Sequence, residues 1–259
     1  MRHALVTAGT KGLGRKVTER LLHDGYSVTV NYRSDRNAAE RLKNDLPARL
    51  QSRIQLIQGD VTSKSDCLKL VQETVAAFGR IDLLIHNAGP YIFERKKLAD
   101  YSDDEWNTMI DGNLSAAFYL TKHAIPHMRK QQFGRIITYG FQSAGAAPGW
   151  KYRSAFAAAK VGLVSFTKTV ALEEAENGIT VNMICPGNIR GEMKEATIAE
   201  SRTKTDADTP VGRSGTGEDI ARAIAFLCED HSDLITGAIL EVTGGVDVVH
   251  QFRRNETNE

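Results

Sequence analysis

Short apolar segments rich in β-branched residues alternate with longer amphipathic segments along almost the whole chain. Most of the apolar segments show no polar alternation, which is typical of strands that are covered on both faces in a parallel sheet. Because helical patterns separate them, the chain consists of successive βαβ units. We therefore predict one α/β domain with a doubly wound, mostly parallel seven-stranded sheet, whose strands are Ala4–Thr7, Ser27–Tyr32, Ile54–Gln58, Asp82–His86, Arg135–Tyr139, Thr180–Ile184 and Ala238–Val242.

Charge, hydropathy and cysteine usage exclude several classes of protein. The 259 residues include 33 Lys and Arg against 32 Asp and Glu, a net charge of +1, so there is no basic excess for nucleic acid or an anionic membrane. No apolar run approaches the roughly 18 residues needed to span a bilayer, and the first residues lack the long apolar region of a signal peptide. Three cysteines lie far apart without CxxC spacing. We expect a cytoplasmic protein with reduced, buried thiols and no bound metal.

Start signals and loop composition give the domain organisation. Ser102–Glu105 has the pattern of a capping box, and Thr216 precedes two acidic residues, so both predict helix N-termini. Residues 188–215 are irregular and rich in Gly, Pro and Thr, and so long a loop is usually functional, which predicts a substrate lid. We assign residues 1–249 to one domain and residues 250–259 to a polar tail.

A glycine-rich turn follows the first predicted strand and opens the first helix. Glycine there permits a tight turn, lets the backbone approach a pyrophosphate, and lets the helix pack closely on the strand. The helix N-terminus offers unpaired N–H groups and the positive end of its dipole to phosphates. The glycine spacing differs from GxGxxG, but its place in a βαβ unit indicates a dinucleotide site. The predicted contacts are Gly9, Thr10, Lys11, Gly12, Leu13 and Gly14.

Further motifs occur in a fixed order after this turn. They are Asp60-Val61 after the third strand, His86-Asn87-Ala88-Gly89 after the fourth, Asn113 in the next helix, Pro186-Gly187 after the sixth strand and Gly244-Gly245 near the end. Together they resemble the short-chain dehydrogenase/reductase family over nearly the whole chain. The similarity is greatest to its 3-oxoacyl-carrier-protein reductases and pteridine-reductase-like members.

This resemblance implies a Rossmann-type fold, a nicotinamide cofactor and reduction of a carbonyl by hydride transfer. Residues that match the family's cofactor-binding motifs are Asp60, Val61, Asn87, Ala88, Gly89, Pro186, Gly187 and Ile189. Asn113 matches a structural and catalytic asparagine. Relatives pair the helices equivalent to Ser102–Arg129 and Phe156–Glu174 across subunits, so we expect a homotetramer.

The tip of the second strand bears on the choice of cofactor. NAD-selective proteins place an acid there to bind the ribose hydroxyls, whereas this strand ends Tyr32-Arg33-Ser34. Arg33 can bind a 2′-phosphate through two hydrogen bonds, and Lys11 can reach the same side. We predict NADP(H), with Asp35, two residues beyond Arg33, as the contrary observation.

The catalytic segment departs from the family. The family uses a tyrosine as acid, a lysine four residues later and a serine upstream; Lys160 is present, but the tyrosine position holds Phe156. A phenyl ring has no proton to give. Ser143 has the usual spacing before Phe156, whereas counting forward from the fifth strand places Phe141 at the serine position. An insertion of about two residues in 142–153 would reconcile the two counts.

Three tyrosines could supply the missing proton. Tyr152 lies one turn before Phe156, although a helical side chain there would lean away from Lys160. Tyr91 follows the motif that ends in Gly89, and Tyr139 ends the fifth strand. The candidate catalytic residues are Asn113, Ser143, Lys160 and Tyr152.

Three functions remain open at this point. The first is an NADP(H)-dependent carbonyl reductase with a relocated proton donor, for which 3-oxoacyl compounds are a candidate substrate class. The second is a cofactor-binding protein with little activity. The third is a reductase of C=C or imine bonds, for which solvent protonation suffices.

Overall fold

Seven parallel strands form one sheet within residues 1–246, the part of the chain that the computed structural model describes. They are β1 (His3–Val6), β2 (Ser27–Tyr32), β3 (Ile54–Gln58), β4 (Leu83–His86), β5 (Gly134–Tyr139), β6 (Ile179–Pro186) and β7 (Ile239–Val242). Their order is β3-β2-β1-β4-β5-β6-β7, and every neighbouring pair is parallel. The predicted doubly wound Rossmann-type fold is confirmed, and each predicted strand is present with ends shifted by at most two residues.

Helices cover both faces of the sheet. They are α1 (Gly12–His23), α2 (Arg36–Asp45), α3 (Ala48–Gln51), α4 (Lys64–Phe78), α5 (Asp103–Ile110), α6 (Ala116–Gln131), α7 (Ser154–Glu174), α8 (Ile198–Ser201) and α9 (Gly217–Cys228). Successive side chains of a strand point to opposite faces. Thus Ala4 and Val6 of β1 pack with α1 and α9, while Leu5 packs with α4, α6 and α7. Burial on both faces explains the continuous apolar strands.

The two predicted helix starts are confirmed. The Ser102 hydroxyl accepts from the Glu105 N–H at 3.1 Å, and the Glu105 carboxylate accepts from the Ser102 N–H at 2.9 Å. Thr216 and Asp219 form the same reciprocal pair at α9. Each pair satisfies orphan donors of a helix N-terminus.

One helical stretch in the described residues, Ser154–Asn177, is long and apolar enough to cross a membrane by composition. The stretch contains Lys160 and Lys168, so it is not an unbroken apolar run. Half of its most apolar window is buried inside the fold, where Leu163 and Val170 belong to the core. Burial of this kind is typical of the core helix of an α/β domain.

Residues 188–215 contain more local structure than the predicted loop. A 3₁₀ turn spans Gly191–Lys194, and α8 follows it. Asp206 accepts a hydrogen bond from the Thr209 hydroxyl at 3.1 Å. The segment is thus ordered both by hydrogen bonds within it and by bonds to other elements, such as that from the Ile198 N–H to the Glu218 carboxylate at 2.6 Å. The predicted tail, residues 250–259, lies outside the described residues.

Candidate active site

The turn between β1 and α1 has no room for side chains at its closest approach. A Cβ added at Gly14 would lie 2.4 Å from Asn87 Nδ2 and 2.5 Å from the Ala8 carbonyl oxygen. Asn87 Nδ2 donates to the carbonyl oxygens of Thr7 at 3.0 Å and Ala8 at 3.1 Å, which ties the loop after β4 to the turn. Ala8 has φ 49°, a conformation that usually requires glycine. The sequence-based prediction omitted Ala8, because a positive φ is not expected of alanine from its residue type.

A cleft of about 500 Å³ opens beside this turn, at the carboxyl ends of β1 to β4. Ligands of doubly wound sheets bind at this edge, where strand order reverses. The cleft brings together the predicted residues of the nucleotide end: Thr10, Lys11, Arg33, Asp60, Val61, Ala88 and Gly89. Asn31 also lines it, and its side chain joins the Ala8 N–H to the Gly59 carbonyl oxygen. Sequence reasoning missed Asn31 because its role depends on contacts between strands.

The two predicted phosphate-binding cations have different surroundings. The Lys11 ammonium forms an ion pair with Asp35. The hydrogen bonds from Lys11 and from the Ala38 N–H hold the pKa of Asp35 below its ordinary value. Arg33 is exposed, and its guanidinium has no recorded partner within residues 1–246. Arg33 is therefore the cation of this pair that is available to a phosphate.

A second opening, about 780 Å³ in volume, lies at the N-terminus of α1. Gly12, Leu13 and Asn87 line it, together with Glu195. The Glu195 carboxylate accepts from the Gly12 N–H at 2.6 Å. That N–H belongs to the helix terminus that the sequence assigns to a pyrophosphate. Glu195 thus places a carboxylate where a phosphate oxygen would bind, a contact absent from the sequence-based prediction.

We expect Glu195→Gln to tighten NADPH binding about tenfold. The substitution removes a carboxylate that competes for the helix N-terminus and repels the diphosphate. Dissociation constants from cofactor fluorescence would measure the change. Glu192→Gln is the matched control, because Glu192 lines the same opening but interacts with Lys204. Weaker binding in Glu195→Gln would show that Glu195 instead supports the site.

Asn113 lies in a π-helical turn, Asp111–Ser115, between α5 and α6. Such turns often occur at functional sites. Asn113 Nδ2 donates to the carbonyl oxygens of Pro90 and Met109, both at 3.0 Å. Its Oδ1 is buried without a hydrogen-bond partner and lies 2.5 Å from where a Cβ on Gly89 would stand. A buried acceptor without a partner is costly, so this atom is suited to a bound water or ligand donor.

Lys160 extends from α7 to the same loop. Its Nζ lies 3.5 Å from the position of a Cβ on Gly89, and the residue is 5 % exposed. Burial lowers the pKa of Lys160 to about 8. His86 lies nearby, and burial together with Lys160 lowers its pKa to about 3. His86 is therefore neutral near pH 7, and Lys160 carries the positive charge.

Aromatic rings surround the position at which the resembled family has its tyrosine hydroxyl. Phe156 contacts Tyr91 at 4.9 Å between ring centroids, Trp150 at 6.0 Å and Phe141 at 6.2 Å. We call Tyr91, Phe141, Trp150 and Phe156 the aromatic cluster. The Lys160 Nζ lies 5.7 Å from the Phe156 ring centroid. This lysine therefore faces a ring with no proton to exchange.

The structure brings Phe141, not Ser143, against Phe156. The Ser143 N–H donates to the Glu241 carboxylate at 2.7 Å, and Ser143 has φ 60°. This placement favours counting forward from β5, with extra residues in 142–153. Ser143 keeps the usual spacing before Phe156, so it stays a predicted serine position beside Phe141. On the count from β5, phenylalanine stands at both the serine and the tyrosine position of the family pattern, so both hydroxyl groups are missing.

The three candidate tyrosines lie in different surroundings. Tyr152 precedes α7 with φ 66°, so the helical orientation considered for its side chain does not apply. Tyr139 packs with α1 and α9, across the sheet from α7, and its hydroxyl is buried without a partner. Tyr91 packs directly on Phe156.

The remaining predicted cofactor residues lie at the carboxyl end of β6 and in the loop after it. Pro186 ends the strand, and Gly187 packs so closely that an added Cβ would lie 2.8 Å from Thr243 Cα. Ile189 is buried. The glycine turn, the two openings and the unpartnered Asn113 oxygen fit a dinucleotide along the edge of the sheet. Within residues 1–246, no three His, Cys, Asp or Glu side chains are grouped to hold a metal ion.

Comparisons with known proteins agree with this arrangement. A family model described as "Enoyl-(Acyl carrier protein) reductase" matches residues 7–247. The chain is 66% identical to "Putative oxidoreductase YtkK" of Bacillus subtilis (strain 168), covering 97% of this chain and 98% of that one. It is 37% identical to "3-oxoacyl-[acyl-carrier-protein] reductase FabG" of Salmonella typhimurium, over 95% and 97% of the two chains.

A solved structure extends the similarity to three dimensions. The "Structure of putative 3-oxoacyl-reductase from bacillus thuringiensis" superposes with a TM-score of 0.92 at 65% identity and covers 96% of this chain and 100% of that one. Sequence motifs, sheet order and these relatives all agree. The chain belongs to the short-chain dehydrogenase/reductase family of oxidoreductases.

Proposed function

We propose that the chain is an NADP(H)-dependent reductase of a small-molecule carbonyl substrate, with a 3-oxoacyl compound as the first class to test. The observation that carries this proposal is the convergence of Gly89, Asn113 and Lys160 beside the cofactor cleft. Burying an unpaired charge lowers the stability of a protein. A protein without catalytic activity would gain nothing from a buried ammonium group at this position. The name of the FabG relative supports the substrate class.

Each part of the site has a proposed role. The glycine turn and Asn87 would hold the diphosphate, Arg33 the 2′-phosphate, and Lys160 the nicotinamide ribose. When bound, the reduced nicotinamide supplies a hydride. Asn113 would bind a water beside Lys160 through its free Oδ1. Phe141 and Phe156 would form an apolar wall that excludes water and faces the flat substrate.

The aromatic cluster also supports a second candidate. Neither Phe141 nor Phe156 can hydrogen-bond a carbonyl oxygen, and an activated C=C or imine bond needs less help from an acid. A cofactor-binding protein with little activity is the third alternative. These candidates differ in turnover, since the second reduces enones or imines faster than ketones and the third reduces nothing.

The test is NADPH oxidation by the full chain with three substrate panels: β-keto esters, enones and cyclic imines. Fluorescence titration with NADPH and NADH accompanies it. We expect NADPH-dependent turnover of β-keto esters and tighter binding of NADPH than of NADH. Turnover of enones alone supports the second candidate, and tight binding without any turnover supports the third.

We also propose a cytoplasmic homotetramer in which residues 188–215 cover the substrate. Exposed aromatic side chains on the helices that relatives pair support the assembly: Trp106 on α5 is 40% exposed and Phe118 on α6 is 45% exposed. Closed symmetry is usual for oligomers of identical subunits. We expect sedimentation to show a tetramer at micromolar concentration, and a monomer there would contradict the proposal.

A further inference from the structure

Arg153 is a buried cation without an acidic partner among the described residues 1–246. It is 8% exposed, and no ion pair to it is recorded within residues 1–246. Its guanidinium donates to backbone carbonyl oxygens instead: Glu94 at 2.7 Å, Tyr152 at 2.9 Å and Phe93 at 3.1 Å. A buried positive charge that no carboxylate neutralises is costly. Its charge is therefore available to stabilise negative charge that develops nearby.

The remaining hydrogen bond of Arg153 identifies where that charge can develop. Arg153 Nε donates to the Tyr91 hydroxyl oxygen at 2.6 Å. The proton of the Tyr91 hydroxyl has no recorded acceptor within the described residues. Tyr91 thus has a hydroxyl whose oxygen is held by a cation and whose proton is free to be donated.

Tyr91 also lies beside the position that has lost its hydroxyl. Its ring meets Phe156 edge to face at 4.9 Å, and Lys160 approaches the same Phe156 ring at 5.7 Å. Tyr91 lines the cleft together with Ala88 and Gly89. Of the three tyrosines considered from the sequence, Tyr91 belongs to the aromatic cluster, whereas Tyr139 packs with α1 and α9 beside the second opening and Tyr152 contacts Lys151.

We propose that Tyr91 is the proton donor of this enzyme and that Arg153 positions its hydroxyl. The inference rests on the proposed carbonyl reduction. When bound, the reduced nicotinamide would supply a hydride to the carbonyl carbon, and the C=O π electrons would move to oxygen. That oxygen takes the proton of the Tyr91 hydroxyl. The phenolate that remains accepts the Arg153 Nε–H and regains a proton from water.

The first measurement is turnover. In Tyr91→Phe, kcat for an aryl β-keto ester, ethyl benzoylacetate, should fall by about 10²- to 10⁴-fold, the usual contribution of a general acid. Tyr119→Phe removes a remote phenol on α6 and should leave kcat unchanged. The double variant Tyr91→Phe/Phe156→Tyr should have a kcat at least tenfold above that of Tyr91→Phe, because the new phenol faces Lys160. A kcat within threefold of wild type in Tyr91→Phe would overturn the assignment.

The second measurement needs no turnover. The chain has two tryptophans, and Trp150 belongs to the aromatic cluster, so Trp106→Phe leaves Trp150 as the single reporter. Quenching of Trp150 by ethyl benzoylacetate gives the dissociation constant in the protein without cofactor. Tyr91→Phe should raise that constant about tenfold through the lost hydrogen bond. If wild type turns over no carbonyl, the proposed function fails, and an unchanged constant would then overturn the role of Tyr91 separately.

Arg153 acts through Tyr91, so its role is tested by a double-mutant cycle. Arg153→Ala should lower kcat in the wild-type background and cause little further loss in Tyr91→Phe, because the two changes remove one interaction. Equal losses of kcat in both backgrounds would show that Arg153 only supports the fold and would overturn its positioning role.

Discussion

Lys160→Met is expected to lower kcat/KM for NADPH-dependent reduction about 10³-fold while making the protein more stable. The activity falls because the ammonium that would bind the nicotinamide ribose and support proton transfer is gone, and removal of one such donor typically costs 10²- to 10³-fold. Stability rises because methionine fills much of the same volume without a buried charge. Steady-state kinetics and urea denaturation at pH 7 measure the two effects.

The sign of the stability effect follows from the pKa. Burial lowers the pKa of Lys160 from 10.5 to about 8. Below pH 8 both the folded and the unfolded chain hold the proton, so the cost of the buried charge is fully present, on the order of 3 kcal/mol. Between pH 8 and pH 10.5 the folded protein has released the proton while the unfolded chain still holds it, so the destabilisation by the buried charge decreases as pH rises. The advantage of Lys160→Met in free energy of unfolding should therefore shrink as pH rises through this window.

The activity has the opposite dependence on the same group. The charged form of Lys160 is present below about pH 8, so kcat/KM of wild type should fall as pH rises through that value. Lys168→Met is the matched control, because Lys168 is exposed on the same helix. A Lys160→Met protein that is less stable at pH 7 would contradict the burial cost. A Lys160→Met protein with unchanged kcat/KM would show that Lys160 is not part of the active site.

Arg33→Ala is expected to raise the dissociation constant of NADPH about 100-fold and to leave that of NADH nearly unchanged. A guanidinium can hold a phosphate with two charge-assisted hydrogen bonds, each worth about 1.5–3 kcal/mol. Arg33 has no recorded side-chain partner within residues 1–246, whereas Lys11 is paired with Asp35. Fluorescence titration with both cofactors measures the ratio.

Arg36→Ala is the control for a nonspecific loss of positive charge. Arg36 is exposed at the start of α2 and lies 3.6 Å from Glu40, so its removal should leave the ratio of the two constants within about twofold of wild type, as surface ion pairs contribute little. An unchanged ratio in Arg33→Ala would assign the phosphate elsewhere. If wild type binds NADH more tightly, Asp35 would be the residue that binds the ribose.

Local patterns in the sequence determined the fold and the cofactor end of the site. Strand and helix positions depend on hydrophobic periodicity and caps within a few residues, so β2 and β3 were placed with their observed ends. The motifs after β1, β3 and β4 converge because parallel strands bring their carboxyl ends to one edge of the sheet. Lys11, Arg33 and Asp60 could thus be grouped from the sequence.

Only the tertiary structure decided which side chains meet in the catalytic region. Arg153 and Tyr91 are 62 residues apart, and Glu195 and Gly12 are 183 apart. No short-range pattern encodes such pairs. Counting along the sequence left Ser143 and Phe141 as alternatives for the serine position, and only the structure shows Phe141 packed near Phe156. Hydrogen bonds and ring contacts act over a few ångströms in space, so their partners are set by how loops pack on the finished sheet.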